Sequence, residues 1–166
     1  SDILVAGCGT GQHCINTASF FSNSKVLAID LSLSSLSYAI RKTKELSINN
    51  IEYMQADILD LAFLNKQFDI VESVGVLHHM SDPMKGWQII TDCLKPKGLM
   101  KIGLYSKLAR RNIFKARDLI SKMEPLNTHE DIIGYRNKIL NSNDPVFTKV
   151  KCLTNFFCAS TLRDLL

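Results

Sequence analysis

Three glycines at alternate positions, Gly7, Gly9 and Gly11, follow the apolar run "ILVA" (3–6) and mark the first place where this chain can do chemistry. A strand that runs into such a turn brings its backbone close to a small molecule, because glycine adopts positive φ and puts no side chain in the way. Nicotinamide dinucleotides, nucleoside triphosphates and S-adenosylmethionine are all held by loops of this look. The dinucleotide fingerprint G-x-G-x-x-G places its third glycine one position later, where this chain has Gln12. The triphosphate loop ends in G-K-[ST], and nothing of that kind follows.

Two carboxylates stand where an adenosine-bearing ligand needs them. Asp30 ends the run "KVLAI" (25–29), 19 residues after Gly11. A carboxylate there accepts hydrogen bonds from both hydroxyls of a ribose. Its other use is as an acidic residue at a helix start, but Ser32 already offers a capping hydroxyl at that point. Asp57, in "QADILDL" (55–61), is placed to accept from an exocyclic amino group such as that of adenine, with Ile58 packing on the ring. A solvated loop aspartate fits Asp57 equally well. Ser73, Val74 and Gly75 close the run "FDIVESV" (68–74), where the backbone faces the amino-acid end of such a ligand. "GVLHHM" (75–80) then adds His78 and His79. A histidine there takes a proton from a hydroxyl or amine near neutral pH, which makes His79 the candidate base. The competing role for both rings is packing within the loop.

These residues need a scaffold that brings strand ends together. Short apolar runs alternate with helical patterns over the first hundred residues, the signature of β-α-β units and a parallel sheet. Strands are expected at 2–6, 25–29, 51–55, 68–74 and 99–105. Helices are expected at 11–22, behind Ser32 with Leu33, Leu36, Ala39, Ile40 and Leu46 as its stripe, and from Pro83 to about Leu94. "NN" (49–50) stops the second helix, 57–65 forms a short turn or helix, and "KPKG" (95–98) forms a turn. Beyond Ser106 the pattern is helical over 107–123 and 128–141, and 146–166 has no readable period. The expected fold is α/β, a Rossmann-like doubly wound and mainly parallel sheet that stops after its fifth strand, with a helical C-terminal tail. Such sheets bind ligands at the carboxyl ends of their strands, beside strand one.

Length and composition agree with one domain and exclude several classes. The 166 residues, 46% apolar and 22% charged, have the balance of a soluble globular protein. No run approaches the roughly 20 apolar residues of a membrane span. Cys8, Cys14, Cys93, Cys152 and Cys158 form no C-x-x-C pair and no metal-type cluster, so no metal is expected. They read as reduced, mostly buried thiols of a cytoplasmic protein. Charge is uneven: residues 1–100 carry −2 and residues 101–166 carry +6. The basic excess around Lys107, Arg110, Arg111, Lys115 and Arg117 reads as a solvated helix face, with Leu108, Ile113 and Phe114 on its buried side, and not as a nucleic-acid site. Ser1 opens directly into a strand, so the sequence reads as part of a longer protein, with 1–106 as the cofactor-binding core and 107–166 as a helical segment of the same domain.

"ILVAGCGTGQH", "VLAIDLSLSSLSYAIRKTKELSINNIEYMQADILDL", "FDIVESVGVLHHMSDP" and "CLKPKGLMKIGLY" resemble, in order and spacing, the successive motifs of class I S-adenosylmethionine-dependent methyltransferases. The likeness covers residues 2–105 and is nearest to small-molecule-type domains. The tail is similar to methyltransferase domains that follow tetratricopeptide repeats in some bacterial proteins. The resemblance implies that Gly7, Gly9 and Gly11 line the methionine part of the cofactor. It implies that Asp30 holds the ribose, that Leu31 packs near the adenine, and that Asp57 and Ile58 frame the adenine ring. The acceptor it implies is a small molecule or a protein side chain. In one respect the chain departs from the family, which often has an acidic residue where Val5 stands. A nicotinamide-dependent oxidoreductase, or an inactive cofactor-binding regulatory domain, are the alternative readings.

Overall fold

The computed structural model describes residues 1–122, 129–153 and 156, and forms two compact units, Ser1–Leu104 and Tyr105–Leu166. In the first unit the order is β1 (Asp2–Ala6), α1 (Gln12–Phe20), β2 (Lys25–Asp30), α2 (Leu33–Glu45) and β3 (Ile51–Gln55). A 3-10 segment (Ile58–Leu64) leads to β4 (Phe68–Val74), and a second (Leu77–His79) leads to α3 (Pro83–Asp92) and β5 (Leu94–Gly103). All four strand pairings are parallel, in the order β3-β2-β1-β4-β5. The order reverses between β1 and β4, which makes their carboxyl ends the switch point where such a sheet opens a crevice.

The two faces of the sheet follow from strand alternation. Ile3 and Val5 of β1, with Val26 and Ala28 of β2, pack against Cys14, Ile15 and Ala18 of α1 and Leu36 of α2. Leu4, Ala6, Leu27 and Ile29 face the other way, against Ile58, Leu61, Leu77 and Ile90. Each buried Ile, Leu or Val among them contributes about 1.5–3 kcal/mol, so both faces of β1 and β2 anchor the unit. Ser32 caps α2 as expected, accepting from the Ser35 N–H at 3.2 Å.

Several boundaries differ from the sequence reading, each for a local reason. α1 ends at Phe20, which is 85% exposed, so the apolar pattern overran the helix. α2 buries Leu36, Ala39 and Thr43, while Leu33, Ile40 and Leu46 are exposed. The buried spacing there is three then four, and a threonine takes its third place. α2 stops at Glu45, before "NN", where Ser47 turns the chain with φ of 56°. "KPKG" is not a turn between elements: it lies within β5, as an irregularity opposite Phe68 and Ile70 with Lys97 at φ of 66°.

At the amino ends of the strands, Asp69 accepts from the Asp2 backbone N–H at 2.7 Å and from Lys95 Nζ at 2.8 Å. Lys66 Nζ lies 3.2 Å from the Asp2 carboxylate. The Lys95 ammonium, and then the Asp2 N–H, hold the Asp69 carboxyl below the usual carboxylate range. A depressed folded value contributes stability above the unfolded pKa of about 4, lost as pH falls through the folded value. The urea midpoint of Asp69→Asn is therefore expected to fall below wild type at pH 7. The gap is expected to close as the pH drops below about 4.

In the second unit, α4 (Arg111–Ser121), α5 (His129–Asn141) and α6 (Pro145–Lys151) share a core of Ile113, Ala116, Ile120, Tyr135, Ile139, Phe147, Val150 and Phe156. Leu108 and Phe114 are 74% and 46% exposed, so the buried side of α4 is Ile113, Ala116 and Ile120 instead. Leu108 lies ahead of the first turn and cannot join that stripe. α6 starts on Asp144, whose carboxylate accepts from the Val146 N–H at 2.7 Å, followed by Pro145. The expected helix limits at 123 and 128, and Cys158, fall outside the described residues, while the limit expected at 141 is where α5 ends. No helix among the described residues is long and apolar enough to cross a membrane.

Candidate functional site

Two adjoining cavities open at the carboxyl ends of β1, β2, β3 and β4. The larger, about 650 Å³, is lined by Gly7, Cys8 and Gly9 after β1, by Gln12, His13 and Asn16 of α1, and by Val74, Gly75, Val76 and His79 after β4. The smaller, about 150 Å³, lies between Leu31, Ala56, Asp57, Ile58, Val76 and Met80. Gly7, Asp30 and Val76 line both. A wider chamber of mixed polar and apolar lining and a mainly apolar slot thus meet at Gly7, Asp30 and Val76, an arrangement that suits a ligand with a polar tail and a flat ring.

The glycine turn is fastened from beneath. Gly7 and Cys8 both donate their backbone N–H to the Ile29 carbonyl, at 2.9 and 2.8 Å. Asp30 accepts from the Gly9 N–H at 2.7 Å through one oxygen and from the Ser32 N–H at 2.9 Å through the other. A carboxylate has about four acceptor positions, so two remain for a diol. Gly9 and Gly75 have φ of 53° and 79°, and a Cβ built on either meets nothing within 4 Å. Both therefore leave open space in the cavity wall, where a ligand can lie against bare backbone. Gly11 has a different job: a Cβ there would stand 2.7 Å from Ala39 Cβ, so this glycine lets the turn pack on α2.

Beneath the turn runs a chain of polar groups. Cys14 Sγ donates to the Gly11 carbonyl at 3.2 Å and lies 3.5 Å from the Tyr53 hydroxyl, which meets Thr43 Oγ1 at 2.7 Å. A hydrogen bond with the Cys8 sulfur, and then the Tyr53 hydroxyl, pull the Cys14 thiol below its usual range. The same bond and burial push the Cys8 thiol up. Cys14 is fully buried, so this network ties the turn to α2 and β3.

Of the residues expected at the site, Gly7, Gly9, Asp30, Leu31, Asp57, Ile58 and His79 line the two cavities. Asp57 also caps the 3-10 segment, accepting from the Leu59 N–H at 2.9 Å. Leu31 is 63% exposed at the lip of the slot, and Ile58 is buried beneath it. Gly11 and Ser73 are placed differently. Ser73 is buried within β4 and lines neither cavity, and Val74 and Gly75, at the strand's end, take the wall position. His79 sits in the 3-10 turn with its ring centroid 4.3 Å from that of His78. His13, Asn16, Val76 and Met80 were not anticipated. Their signal was their place: the first turns of α1, and the loop after β4.

The fold is that of class I methyltransferases, and the cavities sit at its switch point. The family model described as a methyltransferase domain matches residues 3–98, and this chain belongs to that family. An uncharacterized protein of Synechococcus is 32% identical over 74% of this chain and 30% of its own length. The ubiquinone biosynthesis O-methyltransferase of Actinobacillus pleuropneumoniae is 28% identical over 77% of this chain and 56% of its own length. The chain thus spans between 30% and 57% of the first curated relatives it matches. Among solved structures, PKMT2 of Rickettsia typhi superposes with a TM-score of 0.67 at 21% identity, covering 90% of this chain and 30% of that one. That protein has also been solved in complex with AdoHcy. The cofactor of the family is S-adenosylmethionine, and the residues present fit it: open glycines, a carboxylate with spare acceptor positions, and an apolar slot.

Proposed function

We propose that this chain transfers a methyl group from S-adenosylmethionine to a nucleophilic O, N, C or S atom of a small molecule or protein side chain. The observation that carries the reading is the meeting of the mixed chamber and the apolar slot at Asp30, with Gly9 held bare beside it. On this reading Asp30 receives the ribose, Leu31, Asp57 and Ile58 take the adenine, and Gly7 and Gly9 border the methionine part. Bound there, the cofactor supplies a methyl already activated by its sulfonium. The protein's task is to hold a nucleophile in line and exclude water, a contribution of up to about 7–11 kcal/mol. The larger cavity, about 650 Å³, has room for part of an acceptor beside the amino-acid end. The two units are read as one methyltransferase domain within a longer protein, and its reduced thiols suit the cytoplasm.

Titration calorimetry tests the cofactor: S-adenosylhomocysteine is expected to bind and NAD is not. A chain that binds NAD and not S-adenosylhomocysteine is an oxidoreductase, and the reading fails. Labelled S-adenosylmethionine, incubated with cell extract and the protein, then separates an enzyme from a binding module. His79 is the proposed proton acceptor where the acceptor atom carries a proton. His79→Ala is expected to slow turnover by about 100-fold with cofactor affinity unchanged. Near-normal turnover removes His79 from the mechanism.

A further inference from the structure

Glu72 is the one buried carboxylate among the described residues, 5% exposed in β4 between Val71 and Ser73. A buried carboxylate is costly unless it is paired and hydrogen-bonded. Its Oε2 accepts from the Thr17 hydroxyl at 2.6 Å and lies 3.1 Å from His13 Nε2, and its Oε1 is 3.7 Å from Lys101 Nζ. His13 Nε2 is itself buried and has no hydrogen-bond partner, so the Glu72 carboxylate is the polar group set against that edge of its ring. His13 and Thr17 are one turn apart on α1, so a single carboxylate grips two successive turns.

The neighbours of Glu72 explain why the grip comes from β4. Its register partner on β1 is Val5, which shares its face of the sheet and carries no polar group. α1 brings no carboxylate of its own: Gly11 caps it without a side-chain bond, and its first turn has no acidic residue. His13 lines the larger cavity beside Gln12 and Asn16, and Glu72 stands two residues before Val74, on the facing wall. An apolar residue at 72 would fill the core at less cost. A carboxylate is explained if it orients the cavity histidine, as partners behind a functional histidine commonly do.

We propose that Glu72 is a positioning residue for the amino-acid end of the cofactor: through His13 and Thr17 it fixes α1 against β4, and with α1 the chamber wall that faces that zwitterionic end. The proposal rests on the methyltransferase reading. Glu72→Gln keeps the volume and still accepts from Thr17, while removing the carboxylate charge that faces His13 Nε2. S-adenosylhomocysteine affinity is measured by calorimetry for wild type, Glu72→Gln, His13→Gln and the double variant, alongside their melting temperatures. Each single variant is expected to bind about 10-fold more weakly at a nearly unchanged melting temperature. The double variant is expected to match either single one, because both act through one contact. Lowered melting temperatures with wild-type affinities overturn the proposal, and so do losses that multiply. Should Glu72→Gln fail to fold, His13→Gln decides alone, and unchanged affinity overturns it. A wild-type chain that does not bind S-adenosylhomocysteine overturns the methyltransferase reading and this proposal with it. Wild-type binding with unaffected variants overturns this proposal alone.

Discussion

Asp30→Ala is expected to weaken S-adenosylhomocysteine binding by roughly 100-fold while leaving the protein folded. Two charge-assisted hydrogen bonds to a ribose, at the low end of about 1.5–3 kcal/mol each, come to about 3 kcal/mol, which is that factor in Kd. The carboxylate also accepts from the Gly9 and Ser32 N–H groups, so its loss frees the turn that the ligand must lie against. Folding suffers less, for three reasons. Asp30 is partly exposed, so water can replace it at both N–H groups. Ser32 keeps its cap on α2. Gly7 and Cys8 stay bonded to the Ile29 carbonyl, so the start of the turn holds. Calorimetry beside a melting curve separates the two effects. A variant that binds like wild type removes Asp30 from the ribose role and takes the central support of the methyltransferase reading with it.

How far the chain could be read in advance depended on whether one physical cause dominated at each place. β1, β2 and the α2 cap were legible because apolar alternation, a strand end and a capping serine agree there. The cavity residues followed from them, since a parallel sheet brings Gly9, Asp30 and Asp57 to one edge whatever the details of the helices. Where two causes compete, the pattern misled. "KPKG" has the residues of a turn, yet pairing with β4 draws it into β5 at the cost of a positive φ at Lys97. Ser73 and Gly75 were read together as the end of β4, but the strand stops at Val74, so the serine stays buried in the sheet while the glycine, at φ of 79°, turns out into the cavity wall. Asp144-Pro145 carries the same start signal as Asp82-Pro83, a capping carboxylate ahead of a proline, but its helix is only seven residues long and has no visible period. Glu72 was hardest to interpret. An acid between Val71 and Ser73 of a strand is visible as an oddity, but its partners on α1 lie 55 and 59 residues away.

Gly9 and Gly11, two of the three glycines that look alike in the sequence, are expected to separate by substitution. Gly9→Ala puts a methyl group into open cavity, so nothing in the protein has to move. Its folding cost is the left-handed backbone at φ of 53° alone, roughly 1–2 kcal/mol. Ligand affinity is expected to drop by about 30-fold, because the methyl takes space that the cofactor needs and overpacking costs about 2 kcal/mol. Gly11→Ala is expected to do the reverse. Its Cβ would stand 2.7 Å from Ala39 Cβ and 3.1 Å from Ala39 Cα, which belongs to the backbone of α2 and cannot rotate away. Strain at φ of 93° adds to that overlap, for a total of about 3 kcal/mol, or a melting temperature lower by roughly 6–12 °C. Loss of binding in Gly11→Ala should then track loss of folded protein, whereas in Gly9→Ala it should not. If both variants melt alike and bind alike, the turn is a packing device throughout, and the cofactor does not lie against it.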